Sequence, residues 1–431
     1  MRALVISNLH APDCTGGYEM VASECMDALE RNHAWQITCH CATTGREPIK
    51  KTEIPGHPAS SNPKSKIQNP KFPYPPRVHA DLTGYFPRGW THHHALLPAA
   101  RHLKNRTTQI IDTLTRESAA ADVTLLFNPR RLSTLQWLPA MAAARNPIAF
   151  VSDHWPAEYP DCDKLWQASQ TQRISYSPAV MLGAAKVRGY YKNHPPAPAD
   201  LACIKRAAFV SDYIMRKTAP AFPRLEEATV IPNGIDPALF PFAPMTSDRW
   251  RTWGFSGRIQ PEKGVAQALD LFAQAAQTRP DLRFLLAGDL NATAHGAEIR
   301  RKIAATPLLA RRVTLLGQIP RERLASDFYH KTGVLLFTSQ WEEPFALTIP
   351  EAMSCGTYVV ATPTGGTPEI VTPETGLLLP SLLPSETFTL TSHLDLRPQI
   401  TRIATARQVA SQFTITQMAT RLAEFAFKPK S

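Results

Sequence analysis

The chain has 431 residues, 43% hydrophobic and 19% charged, a balance that sustains two or three globular domains and excludes a disordered or fibrous chain. Lys and Arg number 47 against 36 Asp and Glu, and the formal charge of +11 favours anionic partners; no basic stretch interleaved with aromatics suggests nucleic acid. Seven cysteines without a C-x-x-C pair fit a reducing compartment, and with neither a signal-peptide core behind Met1 nor an 18-residue apolar window a cytoplasmic protein is expected, peripheral membrane contact staying open.

R-A-L-V-I-S-N-L, residues 2–9, reads as a buried strand, and the loop H-A-P-D-C-T-G-G leads into a helix carrying Val21, Ala22, Cys25 and Leu29. Gly16-Gly17 at its start can bring bare amides to an anion or simply make a tight turn. Cys39-His40-Cys41 alternates across a strand without a second ligand pair, and His92-His93-His94 reads as a polar loop, so no metal site is expected at either. From about 43 to 90, Pro, Lys and Asn dominate with little apolar periodicity, which predicts a long surface excursion.

Alternation then resumes with a helix through Leu103, Ile110, Ile111 and Leu114, a strand A-D-V-T-L-L-F-N, a helix through Leu135 and Leu138, and a strand P-I-A-F-V-S-D-H-W. Arg101, Lys104 and Arg106 in the first of these helices form either a solvated face or one apposed to anionic lipid. A polar, Pro-containing connector at about 237–249 precedes a second run, with W-G-F-S-G, a helix carrying Val265, Ala268, Leu269 and Phe272, and the strands R-F-L-L-A-G, V-T-L-L-G-Q-I, V-L-L-F-T-S and Y-V-V-A-T. Strands alternating with helices predict an α/β chain with parallel sheets.

In such sheets ligands collect at the carboxyl ends of the strands. V-L-L-F-T-S opens into a loop with Glu343, Pro344, Phe345 and Ala346 before a short helix expected near Pro350, which brings Glu343 and Glu351 to that edge. Thr348-x-x-Glu351 also reads as a capping box. G-R-I-Q-P-E-K-G after the second run's first strand offers Arg258 as a fork of donors and Lys263 as a point charge, or simply two solvated cations; no D-x-D metal site is expected.

W-E-E-P-F-A-L-T-I-P-E-A-M-S-C-G-T-Y-V-V-A, residues 341–361, resembles the E-P-F-G-L-x-x-x-E-A-M-A-C-G-x-P-V-V-A signature of retaining GT-B glycosyltransferases of the glycogen-synthase and sucrose-synthase-like family, the family 4 type. Glu343 and Glu351 fall on its two glutamates, and Ala346 stands where the family has a glycine that lets amides approach the donor. G-R-I-Q-P-E-K-G resembles the family's G-R-x-x-x-x-K-G, V-I-P-N-G-I-D its I-P-N-G-V-D, and residues 7–19 its usual start, so the resemblance covers nearly the whole chain.

The resemblance implies a GT-B fold of two doubly wound Rossmann-like domains facing across a cleft: an acceptor-side domain over 1–236, a nucleotide-sugar domain over 250–400 and a C-terminal helix over 401–431 packing back toward the first. It implies metal-independent hexosyl transfer, with retention, from a nucleotide-diphosphate sugar to a carbohydrate, lipid-linked or small-molecule acceptor, as in polysaccharide, glycolipid or secondary-metabolite synthesis. Arg258 and Lys263 would meet the diphosphate, Glu343 the sugar hydroxyls and Glu351 the ribose. Phe345, Ala346, Leu347 and Thr348 would offer amides, Ile319 would border the base, and Gly16 and Gly17 would face the phosphates. Asp153 keeps the place of a family aspartate, while Ser152 replaces the preceding histidine and His154 follows as a displaced substitute or a surface residue. A phosphorylase or epimerase on the same fold, and a catalytically silent binding partner suggested by Ser152 and Ala346, are the alternatives.

Overall fold

The computed structural model describes residues 1–8, 17–42, 77–82, 96–170, 178–379 and 396–427. Short apolar runs form the strands of two sheets. The first comprises β1 (Arg2–Ser7), β2 (Gln36–Ala42), β3 (Val78–Leu82), β4 (Val123–Phe127), β5 (Pro147–Val151), β6 (Arg206–Phe209) and β7 (Glu227–Val230), in the order β3-β2-β1-β4-β5-β6-β7. β1 runs parallel to both β2 and β4, and the order reverses there, which makes the sheet doubly wound. Runs such as V-T-L-L-F in β4 are buried along their whole length, as strands covered on both faces must be.

The second sheet holds β8 (Thr252–Ser256), β9 (Arg283–Ala287), β10 (Val313–Gly317), β11 (Val334–Phe337), β12 (Tyr358–Ala361) and β13 (Gly376–Leu378) in the order β10-β9-β8-β11-β12-β13, with every neighbouring pair parallel. Its order reverses between β8 and β11. Helix Val265–Thr278 after β8 buries Val265, Ala268, Leu269 and Phe272 in a core shared with Trp253, Phe284 and Leu336. The chain divides into two compact units, one of Met1–Val151, Trp155–Ala207 and Pro220–Glu227, the other of Ser152–His154, Ala208–Ala219 and Ala228–Ser431. Among the described residues no helix is long and apolar enough to cross a membrane.

Some local expectations change. The region expected as one surface excursion contains β3, where Val78 and Leu82 are buried and pairing to β2 fixes the strand; most of the remaining excursion lies outside the described residues. V-H-A-D-L alternates over only five residues, too few to stand out beside the flanking prolines. Helix Thr134–Ala143 turns Trp137, Ala140 and Met141 inward in preference to Leu135 and Leu138, because the indole is the larger apolar surface. The C-terminal stretch forms two helices, Leu396–Ala410 and Ile415–Phe427; between them Ile235 N donates to Phe413 O at 2.9 Å and Ile415 N to Ile235 O at 3.0 Å. In helix Leu96–Ala120, Leu103, Ile110 and Leu114 face the core while Arg101 and Lys104 are exposed.

One triplet, Asp161-Cys162-Asp163, does spell D-x-D, against expectation. Asp163 is fully buried, and its two oxygens accept from Thr134 N (2.9 Å), Thr134 Oγ1 (3.1 Å), Tyr191 OH (2.8 Å), Leu165 N (3.1 Å) and Trp166 N (3.0 Å). It caps helix Lys164–Ser169 and ties that helix to Thr134, so its lone pairs are committed to the fold and not to an ion. Asp163→Asn keeps the volume but turns an amide NH2 toward these donors. We expect a loss of about 3 kcal/mol, read as a fall of roughly 6–12 °C in the first unit's melting transition; a shift under about 1 °C would show these bonds to be idle.

Candidate active site

The site is built on two loops at the carboxyl ends of β8 and β11. After β8, Arg258 is exposed, and among the described residues its guanidinium has no hydrogen-bond or ion-pair partner. The chain then makes the turn Pro261–Lys263 and enters helix Val265–Thr278 through Gly264, whose φ is +72°. A Cβ on Gly264 would overlap the Thr338 carbonyl, and Thr338 Oγ1 donates to Gly264 O at 2.7 Å, so this backbone is pressed against the end of β11.

That approach delivers Lys263 to Glu343. Lys263 Nζ lies 2.5 Å from Glu343 Oε1, and the two side chains are only 15% and 7% exposed. Ser339 Oγ donates to the same oxygen at 2.8 Å. Glu262 O accepts from Gln340 N (2.8 Å) and Trp341 N (3.3 Å), closing the second loop onto the first. The Trp341 ring covers the Lys263 ammonium, 5.1 Å from the centroid, and faces the buried His154 ring at 5.7 Å; His154 in turn meets Tyr213 edge-on at 6.0 Å. Lys263, Glu343 and His154, far apart in sequence, are therefore joined through Trp341.

The stretch after Glu343 is fastened from the other side. Gly366 N donates to Glu343 O at 2.7 Å, and Gly365, at φ +58°, passes so close that a Cβ would overlap the Glu343 backbone. Ser211 Oγ donates to Pro344 O at 2.7 Å. Glu369 accepts from Asp212 N and Tyr213 N (2.9 and 2.7 Å), anchoring the start of helix Asp212–Thr218, from which Lys217 reaches Glu342. That hydrogen bond from Lys217 holds the Glu342 carboxyl below its ordinary range.

Glu351 has different partners. Its helix spans Thr348–Ser354 with Leu347 at the N-cap and no side-chain cap, so it begins before Pro350 and the Thr348-x-x-Glu351 capping box does not form. The buried Glu351 carboxylate accepts from Tyr329 OH at 3.0 Å and pairs with Arg321 Nη1 at 3.3 Å. Burial first, and the Glu351 charge second, push the Tyr329 phenol well above its usual range, so it stays a donor. Phe345 and Ala346 are buried, Phe345 meeting Phe413 edge-on at 5.5 Å; Leu347, Thr348 and Ile319 are half-buried. Asp153 is buried beside His154. Gly17 opens helix Gly17–His33 in the first unit, and Gly16 lies outside the described residues.

Ser339, Trp341, Arg321, Tyr329 and Ser211 escape the sequence reading. Ser339 and Trp341 adjoin Glu343 but carry no spacing rule, and the others come from separate segments.

Two doubly wound parallel sheets, the second carrying paired charges at its carboxyl edge, define a GT-B-type fold. Residues 247–386 match the glycosyl transferases group 1 family. The chain is 33% identical over 121 residues to the lipopolysaccharide 1,2-N-acetylglucosaminetransferase of Salmonella typhimurium, covering 27% of this chain and 31% of that protein. It thus spans about a third of the length of the curated relatives it matches. The fold is similar to that of sucrose-phosphate synthase from Thermosynechococcus elongatus, at TM-score 0.64, 17% identity and 98% of each chain. It is also similar to Anabaena HepE in complex with UDP-glucose, at TM-score 0.59, 18% identity and 98% of each chain.

Two glycines separate strain from crowding. Gly317 has φ +69° and open space for 4 Å around the point where a Cβ would sit, whereas Gly365 combines positive φ with the Glu343 backbone. Gly317→Ala should cost about 1 kcal/mol and Gly365→Ala at least about 3 kcal/mol in chemical denaturation. Equal costs would mean that Gly365 does not hold the Glu343 loop.

Proposed function

We propose that this chain is a retaining, metal-independent glycosyltransferase that moves a sugar from a nucleotide-diphosphate sugar to an acceptor. The observation that supports the reading is the part-buried Lys263–Glu343 pair at the carboxyl edge of β8 and β11, inside the group 1 region. Breaking the anomeric bond leaves negative charge on the diphosphate, and stabilising that charge is the largest task. Arg258, exposed and without an acid partner among the described residues, and Lys263 can meet it with a fork and a point charge.

Glu343, sharing Lys263 and Ser339, would orient the sugar hydroxyls, and Glu351, fixed by Arg321 and Tyr329, would accept the ribose hydroxyls. The acceptor attacks on the face from which the diphosphate departs, and the departing phosphate takes its proton; the anomeric configuration is retained without a protein nucleophile. That HepE binds UDP-glucose supports a nucleoside-diphosphate sugar as donor. Peripheral contact with an anionic membrane would rest on charges such as Arg101 and Lys104, since Leu103, Ile110 and Leu114 are buried.

A melting-temperature screen of UDP, GDP, ADP and dTDP forms identifies the donor, since a ligand that binds the folded state raises apparent stability. With that donor, Lys263→Ala should lower turnover roughly 100-fold while EDTA leaves the wild type unaffected; loss in EDTA restored by magnesium would overturn the metal-independent reading. Phosphate-dependent release of sugar phosphate, or acceptor-free interconversion of the donor, would replace transfer by a phosphorylase or epimerase.

The two carboxylates divide differently. Glu351→Gln should weaken the bare nucleotide roughly tenfold, whereas Glu343→Gln should leave nucleotide affinity within about twofold and depress turnover. Equal losses of nucleotide affinity would contradict this assignment.

A further inference from the structure

Lys263 has a fixed root and a long, flexible stem. Its backbone is pinned by Gly264 against Thr338, but the ammonium lies at the end of a flexible four-carbon stem. Two groups hold that tip: Glu343 Oε1 at 2.5 Å and the Trp341 ring at 5.1 Å. They differ in kind. A carboxylate competes with phosphate for the same cation, whereas an aromatic face attracts the cation through its quadrupole and leaves it charged, with N–H donors available to oxygen ligands.

The ring is itself located. Its backbone N–H reaches Glu262 O at 3.3 Å, the His154 ring stands against it at 5.7 Å, and Glu342 beside it is tied to Lys217. We propose that Trp341 is a positioning residue for diphosphate binding: its ring keeps Lys263 Nζ in place as the ammonium passes from Glu343 to the diphosphate oxygens, and His154 braces the ring. This rests on the nucleotide-sugar reading above.

The test measures UDP affinity by calorimetry for the wild type, Trp341→Phe, Trp341→Leu, Lys263→Ala and the Lys263→Ala/Trp341→Leu double variant, with GDP, ADP or dTDP substituted if the screen selects it. Trp341→Leu should weaken UDP roughly three- to thirtyfold, Trp341→Phe should restore affinity to within about threefold, and Trp341→Leu should add nothing once Lys263 is Ala. Unchanged affinity in Trp341→Leu overturns the inference, as does an equal loss in both backgrounds, which would place the ring on the nucleotide itself. A loss in Trp341→Phe matching that in Trp341→Leu also overturns it, because packing alone would then be at stake. If the wild type binds none of the four nucleotides, the inference and the functional reading fall together; if it binds one and the cycle shows no coupling, only the inference fails.

Discussion

A half-buried ammonium and a buried carboxylate at 2.5 Å set the terms for the second unit. Removing each from water costs several kcal/mol, and their attraction offsets this only when geometry is tight and the remaining hydrogen-bonding positions are filled. The neighbouring residues meet those terms. Ser339 supplies a second donor to Glu343, Gly264 lets the Lys263 turn reach β11, and Gly365 and Gly366 pack under the Glu343 backbone. Losing Lys263 would leave the buried Glu343 carboxylate without its cation, so the two form a structural pair.

Glu351 shows how two nearby carboxylates acquire different work. Glu343 meets a lysine and a serine, groups at the ends of strand loops, while Glu351 meets an arginine and a phenol that remains protonated. A carboxylate sharing a flexible ammonium can exchange that partner for a ligand. One held by Arg321 and Tyr329 on separate oxygens keeps its orientation and offers its remaining lone pairs.

Most strands of both sheets were legible in the chain as apolar runs alternating with amphipathic helices, and the E-P-F-A-L-x-x-x-E stretch and G-R-x-x-x-x-K-G marked the segments that carry Lys263, Glu343 and Glu351. Local spacing rules taken alone do not decide these positions. The apparent capping box at Thr348 does not form: Thr348 lies inside the helix, and Glu351 pairs with the Arg321 guanidinium and accepts from the neutral Tyr329 phenol. Asp161-Cys162-Asp163 has metal spacing, yet Asp163 is consumed by five donors from the fold.

The amino-acid sequence by itself determined the class of fold and the residues bearing charge at the strand ends, because apolar period and loop composition are local properties that survive in one dimension. Tertiary structure alone decided which partners those charges have. His154, Lys263, Trp341 and Glu343 come from three separate stretches, and Ser211 reaches Pro344 across 133 residues. No spacing rule records such pairings: they arise from burial, which makes an unsatisfied polar group costly and so selects the neighbour that folding brings within reach.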